Sequence, residues 1–308
     1  MRIEILGSAA GGGFPQWNCN CRNCQALRAG TFRGKSRTQT QVALSADNDS
    51  WFLLNASPDL RLQIEACPRL HPRQGLRQSP IQAVVLTSAD IDNIAGLLSL
   101  RELQPFSIYC TSALRKLLTE HNIVFNMLNR VPNQALWKDI YPGERFPLLG
   151  LGDEDSGIFG EALPVGCHYP AYISVAREAE LTPEQASLGL LVESAGKRMA
   201  YLPAVASMDD SLLARLETTD LVLFDGTFWN DDELIQVQGS GPTARQMGHV
   251  PVSGPEGSLQ KLAGLKRPRK MFIHVNNTNP MLDESSPQYR DVQNAGWEIA
   301  EDGLRVDL

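Results

Sequence analysis

The sequence lacks any long apolar run: no stretch of its 308 residues approaches the ~20 apolar residues that a membrane-crossing helix needs. The amino terminus, MRIEILGSAAGG, carries one early basic residue and an apolar run too short for the core of an export signal, so a cytoplasmic protein without a leader or membrane segment is expected. Basic residues are in the minority, 28 Lys plus Arg against 35 Asp plus Glu, for a net charge of -7. A surface that binds nucleic acid by counterion release needs a concentrated basic face. The densest basic stretch, Arg33 to Arg37, reads instead as a solvated loop or an anion contact. Internal repeats of short period and low-complexity segments are also missing. So is a dinucleotide fingerprint: Gly7, Gly11, Gly12 and Gly13 follow the opening strand Arg2 to Leu6 without the G-x-G-x-x-G spacing. They predict a loop whose backbone passes close to something.

Hydrophobic residues make up 43% of the chain, ample for a buried core. Strands and helices alternate. Thr40 to Ser45 and Trp51 to Asn55 predict a hairpin turning at Ala46-Asp47-Asn48-Asp49, and Pro58 to Ala66 has helical spacing. Ile81 to Leu97 predicts a buried strand, a polar loop and an amphipathic helix, followed by a strand at Phe106 to Cys110 and a helix at Ser112 to Glu120. Tyr141 to Leu163 is turn-rich. The rhythm resumes with a hairpin across Ser194-Ala195-Gly196-Lys197, a helix at Ser211 to Leu216, and strands at Leu221 to Phe224 and Lys270 to Ile273. Strand, helix, strand, helix is the pattern of an α/β sandwich.

Six cysteines in a reducing compartment favour metal ligation or buried thiols over disulfides. Cys19, Cys21 and Cys24 stand within six positions, and a tight turn presents such thiols to a common point, which suits zinc. Zinc usually takes four ligands in such sites, so a fourth must come from elsewhere, and among the histidines His249 and His274 are the best candidates. Cys67, Cys110 and Cys167 stand alone in apolar surroundings and read as small buried residues.

The strand Ala83 to Leu86 ends on a loop carrying Ser88, Asp90, Asp92 and Asn93. Two carboxylates at one rim repel unless a cation lies between them, although an N-cap and a first-turn acid of the following helix would also place them there. Asp225 follows the strand Leu221 to Phe224, and His274 follows Lys270 to Ile273. Polar residues that keep falling just after strands indicate several strands aimed at one rim.

Here the residues resemble a family. A strand, then Thr-His-x-His-x-Asp-His-x-x-Gly, then a helix is the signature of the metallo-β-lactamase superfamily, and the same frame reads here Thr87-Ser88-Ala89-Asp90-Ile91-Asp92-Asn93-Ile94-Ala95-Gly96. Ser88, Asp90 and Asn93 stand where the superfamily has histidines, while Asp92 and Gly96 stand at its aspartate and glycine. A hydrolase of that superfamily holds two ions about 3.5 Å apart around an activated water, and with three of four ligands replaced a di-zinc site is not expected. Asp90 and Asp92 with His274 suit one harder ion, iron or manganese, or a weakly held zinc. Asp225 stands where the superfamily has its bridging aspartate or cysteine, and His168 near a further histidine ligand.

GSAAGGGFPQWNCNCRNC, the run from Asn55 to Gln63, TSADIDN, LFDGTFW and HVNNTNP together resemble, over essentially the whole chain, the B-protein family of pyrroloquinoline quinone (PQQ) biosynthesis. The resemblance implies one domain over residues 1–308, an αββα sandwich of two mixed sheets with helices outside, and a structural zinc on Cys19, Cys21 and Cys24. It implies either an iron-dependent hydroxylase acting on the tyrosine ring of a cross-linked Glu-Tyr intermediate, or a carrier that moves PQQ or its precursor out of the cytoplasm. A metal-dependent hydrolase is a third reading, which the missing histidines oppose. Asp90, Asp92, Asn93, His274, Asp225 and Ser88 are then the catalytic candidates, with Asp90, Asp92 and His274 holding Fe2+. The Glu-Tyr intermediate, PQQ, other proteins of the pathway and a second copy of the chain are the expected partners.

Overall fold

A computed structural model describes residues 1–166, 169–170, 172–173 and 182–308. The first sheet runs in the order β14 (Leu304–Asp307), β1 (Arg2–Gly7), β2 (Gln41–Ser45), β3 (Trp51–Leu54), β4 (Ile81–Val85), β5 (Phe106–Cys110) and β6 (Ala135–Asp139). The second runs β13 (Glu298–Ile299), β12 (Arg269–Ile273), β11 (Leu221–Asp225), β10 (Lys197–Leu202), β9 (Ser187–Ser194), β8 (Asp155–Gly166) and β7 (Arg145–Leu149). Each sheet is antiparallel on one side and parallel on the other: β3 to β6 pair in parallel in the first, and β10 to β13 in the second.

Strands covered on both faces read as continuous apolar runs, and alternate residues separate the two layers they serve. Phe52, Leu54, Ala83 and Val85 of the first sheet pack against Tyr201, Leu221, Leu223 and Ile273 of the second. The opposite faces, Leu53 and Val84 on one sheet and Val222 and Phe224 on the other, bury against the outer helices. This is the expected αββα sandwich.

Three expectations from sequence are revised. The segment after β4 is not one amphipathic helix but a four-residue α-turn, Ile91–Ile94, followed by a 3-10 stretch, Ala95–Leu100. The chain at Ala56 interrupts it: Ala56 N–H donates to Asn93 O and Ala56 O accepts from Gly96 N–H. The turn-rich region from Tyr141 to Leu163 forms the β7–β8 hairpin. Gly143 and Gly152, with φ 80° and 76°, do mark turns, whereas Pro147 lies on the outermost strand and a Cβ at Gly160 would stand 2.5 Å from the Phe146 ring. Arg37 is buried, donating to Ser8 Oγ and the Ala300 carbonyl, so that part of the basic stretch is an internal clamp.

The glycine-rich loop does pass close to other backbone. A Cβ at Gly7 would stand 2.0 Å from Gln39 O. Cys67 and Cys110 are buried as expected, whereas Cys167 and His168 lie outside the described residues. No helix among the described residues is long and apolar enough to cross a membrane.

Candidate metal centre at the sheet rim

β3, β4, β11 and β12 deliver their carboxyl ends to one rim, where the loops leaving them meet. Asn55, just after β3, sits in the left-handed region (φ 66°) and organises the loop that follows β4. Its side-chain oxygen accepts from Thr87 N–H at 2.8 Å, and its amide nitrogen donates to Asn93 Oδ1 at 3.0 Å. Asn93 in turn donates to Ser88 Oγ at 2.8 Å, and Ser88 Oγ donates to Asp90 at 2.7 Å. The three positions that carry histidines in the superfamily signature are thus closed on one another by hydrogen bonds.

Asp225 ends β11 fully buried. One of its oxygens accepts from Val205 N–H and stands 2.8 Å from His249 Nδ1; the other accepts from both the N–H and the hydroxyl of Thr227. Thr227 Oγ1 is also 2.9 Å from His274 Nδ1 and 3.1 Å from His249 Nδ1. His274 leaves β12 with φ 60°, a conformation that costs energy in a residue with a Cβ and recurs at functional sites. That turn aims the far side of its ring at Asp92, with Nε2 3.1 Å from Asp92 Oδ2. The two imidazoles stack, centroids 5.5 Å apart.

Burial opposes charge on His249, but the adjoining Asp225 carboxylate outweighs it and raises the imidazole above its ordinary pKa. Burial likewise pushes Asp92 upward, but the hydrogen bond and charge of His274 outweigh it and hold the carboxylate below its usual range. Ligand atoms of Asp225, His249 and His274 lie within 4.8 Å of one another. One carboxylate and two imidazoles are a donor set for Fe(II), Mn(II) or Zn(II). Asp92 stands outside that three-residue cluster and faces the other edge of the His274 ring, where it holds the imidazole in place. His249, His274, Thr227 and Asp92 line one cavity of about 220 Å³, in which the described lining residues also include Ser88, Asp90 and Asn93 but neither Lys nor Arg.

Of the residues expected from sequence, Asp92, Asp225 and His274 come together. Ser88, Asp90, Asp92 and Asn93 line one cavity but stand outside the three-residue donor cluster, which corrects the expectation that Asp90 and Asp92 join His274 on the ion. Asp225 and His249 stand beside His274 in place of the expected Asp90 and Asp92, and of these two His249 has the less obvious position. It follows a 3-10 turn, Arg245–Met247, and not a strand, so the strand-end rule does not reach it. Asn55 and Thr227, which orient the donors, follow the ends of β3 and β11, so the strand-end position that marks Asp225 and His274 could also have found them.

Cys19, Cys21 and Cys24 form a second cluster, with their sulfurs within 4.8 Å of one another. Burial drives the Cys21 thiol up to about 11. For Cys19 burial acts the same way, but hydrogen bonds from Cys21 N–H, the other thiols and Asn277 outweigh it and hold the group below the ordinary thiol value. Neither His249 nor His274 belongs to this cluster, which corrects the expectation that one of them completes it. Both ring nitrogens of His274 are engaged at the rim, and His249 faces Asp225. The side-chain amide of Asn277 is within hydrogen-bond reach of all three sulfurs.

Residues 50–275 match the model of the β-lactamase superfamily domain. The chain is 43% identical, over all of both chains, to the coenzyme PQQ synthesis protein B of Methylobacterium radiotolerans, and equally so to that of Xanthomonas euvesicatoria. Its fold is similar to that of zinc-bound PqqB from Methylobacterium extorquens, with a TM-score of 0.92, 41% identity and full coverage of both chains. A diphosphatase of the PhnP family is similar in fold, with a TM-score of 0.66 at 18% identity over 100% of this chain and 97% of that one. The chain therefore belongs to the coenzyme PQQ synthesis protein B family, within the β-lactamase superfamily.

Proposed function

We propose that the protein is an iron-dependent hydroxylase of PQQ biosynthesis that acts on the tyrosine ring of a cross-linked Glu-Tyr intermediate. The observation that carries this reading is the donor set of two histidines and one carboxylate, His249, His274 and Asp225, a combination used by non-haem Fe(II) oxygenases. When bound, the iron supplies the oxygen-activating chemistry. Hydroxylation replaces a ring C–H by C–OH with one atom of O2 and reduces the other to water, taking two electrons and two protons from an external reductant.

The chain's own residues hold and orient. Thr227 and the Val205 N–H fix the Asp225 carboxylate, and Thr227 also faces His274. Asp92 holds His274 from the opposite side. The Ser88–Asp90–Asn93 chain of hydrogen bonds fills the place of a second ion, which supports one-metal chemistry over di-metal hydrolysis. A carrier for an acidic quinone is less well supported, because the cavity is lined by Asp90 and Asp92 and shows no Lys or Arg among its described lining residues. The cysteine cluster, in this reading, holds a structural zinc, in keeping with its all-thiol donors and with a zinc-bound relative.

The test is incubation of the iron-loaded protein with the Glu-Tyr compound, reductant and isotopically heavy O2. Heavy oxygen in the product supports the reading. Heavy oxygen arriving only from labelled water, or tight PQQ binding with no turnover, overturns it.

A further inference from the structure

The loop that leaves β12 brings one further polar side chain, Asn276, to the wall of the rim cavity. Thr87, Ser88, Asn93 and Thr227 line the same cavity, but their polar atoms are engaged with Asn55, Asp90, Asp225 and one another. In Asn276 the side-chain nitrogen donates to Thr278 Oγ1 at 2.6 Å, whereas Oδ1 accepts no hydrogen bond among the described residues.

The partners of that amide decide which end faces the cavity, since nitrogen and oxygen are told apart by the network around them. The Thr278 hydroxyl donates to Glu233 Oε1, so its oxygen is left to accept, and only Nδ2 of Asn276 can give. Glu233 Oε2 accepts from Trp229 N–H at 2.6 Å, which holds the carboxylate in place. Above about 7 this carboxyl is ionised and has no proton to send the other way. Oδ1 is therefore the end turned to the cavity. The Asn276 backbone is pinned as well: its N–H donates to the Thr227 carbonyl at 3.1 Å, and its carbonyl accepts from Asn279 N–H at 3.0 Å. Thr227 is the residue whose hydroxyl faces Asp225, His249 and His274, so Asn276 stands beside the metal donors.

Phe228, Met247, Leu188 and Pro203 also line the cavity and give a ring apolar surface to lie against. A neutral acceptor at the edge of such a surface matches a phenol, a flat apolar body with one O–H donor at its tip.

We propose that Asn276 is a substrate-binding residue that accepts the ring hydroxyl of the tyrosine moiety through Oδ1, with Thr278 and Glu233 as positioning residues that hold its amide in that sense. The proposal rests on the Glu-Tyr reading and adds the contact by which the ring is recognised. A ring anchored there by its hydroxyl meets the metal donors in one orientation. No bond of the ring changes at Asn276.

The experiment uses the full chain loaded with Mn2+ without oxygen, at pH about 8 so that Glu233 is ionised, and reads binding without turnover. Calorimetry compares the Glu-Tyr compound with its deoxy analogue, in which hydrogen replaces the ring hydroxyl. The parent is expected to bind the phenolic compound about tenfold more tightly, because the analogue covers Oδ1 without giving it a partner. Asn276→Ala is expected to bind the two compounds alike while holding Mn2+ as the parent does. Thr278→Ala, which frees the amide to turn, is expected to lose most of the preference, and Thr278→Ser, which keeps the hydroxyl, to retain it.

A parent that binds both compounds equally overturns the contact, and that result needs no variant to fold. A preference undiminished in Asn276→Ala overturns it too, as does loss of Mn2+ together with the preference, which would assign the residue to holding the His274 loop. A preference undiminished in Thr278→Ala overturns the positioning roles. A parent that holds Mn2+ and binds neither compound refutes the Glu-Tyr reading itself, and the contact falls with it.

Discussion

His274 Nε2 stands 3.1 Å from Asp92 Oδ2, so the end of β12 in one sheet meets the first turn after β4 in the other across the rim. Because this contact orients the imidazole from the edge opposite Thr227, Asp92→Asn is expected to weaken Mn2+ or Fe2+ binding at the rim about ten- to a hundredfold. His274→Ala is expected to abolish it. Anaerobic titration monitors both, and an unchanged affinity in Asp92→Asn removes Asp92 from the site.

Glu233 gives the fold a pH dependence. Burial pushes its carboxyl up to about 7 from the ordinary 4.5, against hydrogen bonds from Thr278 and Trp229 N–H. Between those values the folded chain holds a proton that the unfolded chain has released. This group's contribution to stability therefore falls as pH rises through that window and levels off above about 7. At ~1.4 kcal/mol per unit the full effect is roughly 3 kcal/mol. Glu233→Gln, whose amide can satisfy both partners, is expected to flatten the slope and to melt above the parent at pH about 8, beyond the titration window. Thermal melts across the range check this, and parallel pH profiles would contradict it.

Gly96 shows why the superfamily frame keeps a glycine when its histidines are gone. A Cβ there would stand 2.1 Å from Ser57 O, and its N–H is bonded to Ala56 O. Gly96→Ala is expected to destabilise the fold by about 1–3 kcal/mol or more through overpacking against backbone. It is also expected to weaken rim metal binding, because Asn93 is held by the same Ala56 contact. Chemical denaturation measures the first effect and Mn2+ titration the second.

A structural zinc ties metal binding to folding. Cys21→Ala is expected to lose zinc and to lower both melting temperature and solubility. Loss of the metal with an unchanged melting temperature would show that the cysteine trio is not structural.

The fold was legible where burial leaves a plain pattern. Runs such as Leu221–Asp225 are apolar because both faces are covered, and the Ala195-Gly196 turn, with φ 50° and 75°, suits a two-residue hairpin. The β7–β8 hairpin was hidden because the turn residues around and between its strands, such as Gly143 and Gly152, dominate the pattern, while Pro147 and Gly160 break the apolar runs of the strands themselves. At the site, residues directly after strands, Asp92, Asp225 and His274, could be anticipated from position alone. His249 and Asn277 could not be placed, because what brings each to its cluster is the three-dimensional course of a loop. A loop-like context late in the chain made His249 a candidate for the thiols, whereas it stands at the rim beside the Asp225 carboxylate and the Thr227 hydroxyl.

The most direct measurement counts iron at the rim and follows oxygen. With zinc already in the thiol site, the chain is loaded anaerobically with Fe2+, analysed for metal, then mixed with the Glu-Tyr compound, reductant and O2. One iron per chain and substrate-dependent oxygen uptake are predicted, both lost in His249→Ala with the thiol zinc retained. Two ions at the rim, or turnover with zinc alone and no oxygen uptake, would contradict the account.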